Sequence, residues 1–155
     1  MIEGTLIAES LRVGTNLENL KLAVRKISRL RPEGTAADQP EIWTLLDFET
    51  GEAEADELAR AFAGALDQSG WYVDFRSPAE TFVVFPGRIF CYARGDDAGR
   101  AETQAHGRQL AIPEAQLDWP LTGTPPPKPA ESSANFRPAG TRRTFRKREL
   151  SGFGL

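Results

Sequence analysis

The stretch GWYVDFRSPAETFVVFPGRIFCYAR, residues 70–94, decides how the chain folds. Side chains on a strand alternate between faces with a period of two. In GWYVDFRS, Trp71, Val73 and Phe75 therefore share one face, and Tyr72, Asp74 and Arg76 share the other. The break at Ser77 and Pro78 separates this strand from ETFVVF, and Pro86 with Gly87 turns ETFVVF back into RIFCYAR. If Pro86 and Gly87 are the central residues of a type II turn, Phe85 faces Arg88, Val83 faces Phe90 and Thr81 faces Tyr92. Phe82, Val84, Ile89 and Cys91 then form an apolar set that belongs in the core beside Trp71, Val73 and Phe75. Because a Pro-Gly type II turn twists against the preferred hairpin hand, a bulge or register shift is expected there.

On either side the pattern is mixed. GTLIAESLRV (4–13) reads as a strand between Gly4 and Gly14. In residues 16–30 strand alternation at Leu20, Leu22 and Val24 competes with helical spacing at Leu17, Leu20, Val24 and Ile27; a strand over 20–30 is preferred. RPEGTAADQP (31–40) is turn chemistry, and EIWTLLDFE (41–49) has the apolar run of a strand covered on both faces. Between about Glu54 and Ser69, Ala55, Leu58, Ala59, Phe62, Ala65 and Leu66 recur at helical spacing, with acids at the start and Gly70 at the stop. A weaker helix is expected over 97–111 with Ala98, Ala101, Ala105 and Ile112 inward, and QLDWPL is a candidate edge strand. The order predicts an α+β fold: an antiparallel sheet with two helices on one face, a ferredoxin-like (split βαβ) core extended by amino-terminal strands.

Composition sets the bounds. The 155 residues, 40% apolar and 26% charged, suit one core. No run of about 18 apolar residues marks a membrane span. The start MIEGTLIAESL does not read as a secretory signal, and a single cysteine, Cys91, fits a cytoplasmic location. Residues 1–121 carry 12 Lys and Arg against 20 Asp and Glu, a net of -8; residues 122–155 carry 7 against 2, a net of +5, with five of the eleven prolines. An acidic domain, 1–121, followed by a disordered basic, Pro-rich tail, 122–155, is expected.

No G-x-G-x-x-G, P-loop, H-E-x-x-H or C-x-x-C is present, so no cofactor, metal or catalytic residue is assigned. His106 stands one helical turn after Glu102, a spacing that can orient an imidazole, but no nucleophile is placed near it. The polar face of the central strands offers a candidate binding patch of Tyr72, Asp74, Arg76, Arg88, Phe90, Tyr92 and Arg94, of the mixed aromatic and Arg kind that interfaces favour.

GWYVDF, VVFPGRIF and AIPEAQLDW, in this order, resemble segments of a family of small bacterial hypothetical proteins, frequent in actinobacteria and without an assigned function. The resemblance covers roughly 41–121, more loosely 4–31 and not the tail, and implies a bacterial fold unit with no catalytic residues to carry over. The expected function is that of a cytoplasmic accessory or interaction protein, immunity-like or regulatory, with a protein partner. Alternatively the tail, through Arg142, Arg143, Phe145, Arg146, Lys147 and Arg148, meets nucleic acid. A third reading is small-molecule binding or enzymatic chemistry at Tyr72, Asp74 and Arg76.

Overall fold

The computed structural model describes residues 1–68 and 70–117. Six strands, β1 (Ile2–Ile7), β2 (Leu22–Leu30), β3 (Trp43–Thr50), β4 (Val73–Arg76), β5 (Glu80–Phe85) and β6 (Arg88–Ala93), form one sheet in the order β2-β3-β1-β4-β5-β6. Every ladder is antiparallel. Two helices, α1 (Ala55–Ala65) and α2 (Asp97–Gln109), complete an α+β fold. Among the described residues no helix is long and apolar enough to cross a membrane.

The strand order departs from the ferredoxin-like one. Chain direction makes β3 and β4 parallel, with α1 connecting them and the amino-terminal β1 filling the gap. A ferredoxin-like core fills that gap with a strand from later in the chain. Only β2 extends the sheet at its edge. The expected strand at QLDWPL is not formed where it is described: Glu114–Gln116 is a 3-10 turn, and residues 118–121 lie outside the described residues. The first strand also ends early, at Ile7, where the 3-10 turn Ala8–Ser10 begins and the Ser10 hydroxyl donates to the Ile7 carbonyl.

The β5–β6 register is the one the Pro86-Gly87 turn predicts: Phe85 opposite Arg88, Val83 opposite Phe90, Thr81 opposite Tyr92. It runs without the anticipated bulge. Gly87 takes a φ of 69°, and its N–H donates to the Ala63 carbonyl of α1 at 2.9 Å, which ties the hairpin tip to the helix. Helix α1 is shorter than its apolar spacing suggests, because Leu66 turns extended and bridges to Leu11.

The helices lie on opposite faces, which corrects the expectation of a single helical layer. Under α1, Phe62 meets Phe48 at 5.8 Å and Phe75 at 6.2 Å between ring centroids, and Phe75 stacks on Phe82 at 4.9 Å. Trp71, Val73, Phe82 and Val84 join this core, with Cys91 and Ile89 partly buried against it. The other face of β4–β6 carries a second core of Tyr72, Val83, Phe85, Phe90, Tyr92, Ile112 and Leu117 under α2. Helix α2 does not dock through Ala98, Ala101 and Ala105, which are exposed. It docks through Gly99, Thr103 and Gly107. A Cβ on Gly99 would stand 2.8 Å from the Tyr92 Cβ, and one on Gly107 would stand 2.7 Å from Leu117. Close helix-to-sheet contact here selects the absence of a side chain, so a search for apolar spacing picks the wrong side of the helix.

The two cores are predicted to contribute comparably. Phe62→Ala under α1 and Phe85→Ala under α2, both fully buried, should each lower unfolding free energy by about 3–5 kcal/mol in denaturant titrations. A small effect of Phe85→Ala alone would show that α2 is a loosely held cover.

Candidate functional site

The rows of residues across the sheet define the site. One row on the α2 side runs Asp47 (β3), Thr5 (β1), Asp74 (β4), Val83 (β5) and Phe90 (β6); the next runs Glu49, Glu3, Arg76, Thr81 and Tyr92. Both rows turn from charged to uncharged, buried residues beyond β4. Helix α2 lies over the apolar end, where His106 meets Phe85 at 4.9 Å and Phe90 at 5.3 Å. The charged end forms a trough of about 260 Å³ lined by Glu3, Thr5, Arg25, Asp47, Glu49, Asp74 and Arg76, and α2 contributes nothing to its lining.

Asp74 sits where the two environments meet. It is 3% exposed, and its Oδ1 accepts no hydrogen bond among the described residues. Its cross-strand neighbour Thr5 has a hydroxyl able to serve it, but that hydroxyl donates to Asp47 Oδ1 at 2.6 Å. Burial pushes the Asp74 carboxyl up from 3.8 to about 7, against the opposing pull of the Arg76 charge and of its own backbone amide. A carboxyl with a pKa raised to near neutral, on a residue that lines a cavity and with one oxygen left without a donor among the described residues, is equipped to accept an N–H or O–H from a ligand. Around it, Arg25 pairs with Glu49, while Glu3 and Asp47 add carboxylates. With Asp74 ionised, four carboxylates face two guanidinium groups, so the trough favours positive charge.

The expected seven-residue patch is divided by this geometry. Asp74 and Arg76 belong to the trough. Tyr72, Phe90 and Tyr92 are buried beneath α2 and do not form an open surface: the Tyr72 hydroxyl donates to the Gln116 carbonyl, and the Phe90 ring lies 5.8 Å from Phe85. Arg88 lies 4.9 Å over the Phe90 ring, and Arg94 reaches the Pro78 carbonyl at 3.4 Å. His106 packs on the second core, and its pKa is lowered by burial and by the Arg88 charge. The tail residues Arg142, Arg143, Phe145, Arg146, Lys147 and Arg148 lie outside the described residues.

Glu3, Thr5, Arg25, Asp47 and Glu49 were not anticipated. Their signal is the polar alternation of EGT and DFE, but it acquires meaning only when β1 is known to lie between β3 and β4. Among the described residues no three His, Cys, Asp or Glu side chains are grouped to hold a metal. No family model, curated protein or solved structure matches the chain.

The raised Asp74 pKa makes a stability prediction. Because the folded state holds the proton more tightly than the unfolded chain, this group's contribution is present below pH 3.8 and is lost as pH rises to about 7. The loss is on the order of 4 kcal/mol at 1.36 kcal/mol per pH unit. The difference in unfolding free energy between wild type and Asp74→Asn should therefore shift progressively in favour of the variant between those pH values and level off above. A pH-independent difference would mean that Asp74 titrates normally.

Proposed function

We propose that the protein binds a small organic cation carrying N–H donors, such as an amine or a guanidine, in the trough on the open face of β3, β1 and β4. The observation that supports this reading is that Asp74, which lines a negatively biased cavity, keeps a buried carboxyl oxygen without a hydrogen-bond partner among the described residues. Burying a polar atom without a partner is costly, and a ligand N–H placed there removes the cost. Arg76 and Arg25 set the limits of the positive subsite and give a ligand's own carboxylate or hydroxyl a place to turn. A volume of about 260 Å³ suits a molecule of amino-acid size and not a polymer. This is the small-molecule reading of the Asp74 and Arg76 face, freed from the aromatic residues that the second core uses.

A role as an accessory partner in a bacterial cytoplasm is compatible with such a site, since a ligand-binding domain can report ligand to another protein. The trough supports the ligand and not the partner.

Binding of a cation requires the ionised carboxylate, so affinity and protonation are coupled. Calorimetric titration with a panel of alkylamines and alkylguanidines should show at least one ligand binding about tenfold more tightly near pH 8 than near pH 6, as the competent ionised fraction rises. Asp74→Asn should weaken binding and remove the pH dependence. Binding that is indifferent to Asp74→Asn, or no binding by any member of the panel at either pH, would overturn the proposal.

A further inference from the structure

Among the described residues β2 is the edge of the sheet, paired with β3 on one side and with no strand on the other. Nine residues long, it is exposed along most of its length, including Val24 at 47% and Ile27 at 65%. An unpaired edge presents a row of backbone donors and acceptors that another strand can complete. A bulge between Val24 and Lys26 disturbs the ladder at the start of the strand. The regular stretch that remains is Lys26–Leu30.

Charge says what kind of strand fits. From Lys21 to Arg31 the segment KLAVRKISRLR carries five cations and no acid. Three of these cations are answered within the chain: Lys21 by Glu54, Arg25 by Glu49 and Arg31 by Glu41. Lys26 and Arg29, the two inside the regular stretch, make no ion pair among the described residues. A second copy pairing through the same edge would set cation rows against each other, which is unfavourable across strands. The exposed Ile27 between them asks for an apolar contact.

We infer that Lys26–Leu30 is a docking edge for an acidic extended segment of another protein, which adds antiparallel to β2 as a seventh strand. The register specifies the segment: residues opposite Arg29, Ser28, Ile27 and Lys26 follow one another in the partner's chain direction, so the favoured order is acid, any residue, apolar, acid. The docking edge adjoins the trough, to which β2 contributes Arg25 and whose Asp47 lies opposite Lys26, but it is the outer backbone edge of β2 that the segment would pair with, and neither proposal depends on the other.

The probe is a short labelled peptide centred on Glu-Thr-Val-Glu, titrated into the full chain and followed by fluorescence anisotropy and by amide hydrogen exchange. Binding should slow exchange of amides within residues 26–30. The double change Lys26→Glu and Arg29→Glu, at exposed positions, should weaken binding by about tenfold or more, as loss of facing charge pairs does, while leaving the circular dichroism spectrum unchanged. A second peptide, N-methylated at alternate amides on its β2-facing side, separates strand addition from charge attraction: it should bind far more weakly. Equal binding of the N-methylated and plain peptides would overturn the inference, as would slowed exchange outside β2 only. Concentration-dependent protection of β2 without peptide would also overturn it, by assigning the edge to a second copy.

Discussion

The close approach at Gly4 governs the rest of the sheet. A Cβ at this position would stand 2.5 Å from the Phe75 Cβ, 2.7 Å from Phe48 and 2.9 Å from the Asp74 carbonyl. Glycine alone lets β1 lie between β3 and β4 while rings from both neighbours close over it. Phe48 and Phe75, 6.2 Å apart between centroids, meet across that missing side chain, and Phe62 of α1 seats on both. The same backbone placement sets Thr5 beside Asp74 and Asp47 on the opposite face. Core and trough are two sides of one strand.

A second absence of side chains shapes the other face. Gly99 and Gly107 bring α2 against Tyr92, Phe85 and Leu117, and Gln104 holds the following turn by donating to the Leu117 carbonyl at 2.9 Å. This cover ends at β4. Without it, Tyr72, Phe90 and Tyr92 would be the aromatic surface that alternation alone suggests; with it, the charged residues of β1, β3 and the adjoining Asp74 and Arg76 of β4 are what line the trough. The site is thus defined by where the helix stops.

What was legible in the sequence follows from the range of the interactions involved. The alternation of residues 71–76 and 80–93, the turn at Pro86-Gly87 and the pairing of Phe85 with Arg88 rest on local geometry and are as the sequence predicts, except that the bulge or register shift expected at the turn is not formed. The location of α1 and the strand character of residues 22–30 were also readable. The strand order was not, because β1 finds its place through Gly4 packing against residues more than forty positions away, and a glycine beside a strand reads as a turn. The face of α2 was misread for a related reason: its contact surface is made by glycines and a threonine. The β4 part of the trough, Asp74 and Arg76, was visible as a polar face; its other polar residues, Glu3, Thr5, Arg25, Asp47 and Glu49, depended on the strand order.

Asp74 shows why the boundary between the two halves of the sheet has chemical consequences. On the β3 side, a carboxylate such as Asp47 has a hydroxyl donor and open solvent. On the β5 side, the same row is valine and phenylalanine. Asp74 receives the desolvation of the apolar end while facing the cavity of the charged end, and Arg76 offsets only part of the penalty. An apolar residue at this position would be the stable solution, as replacement of buried charge by packed hydrophobe generally is. The fold instead holds a carboxyl whose pKa burial raises to about 7, with one oxygen buried and without a hydrogen-bond partner among the described residues.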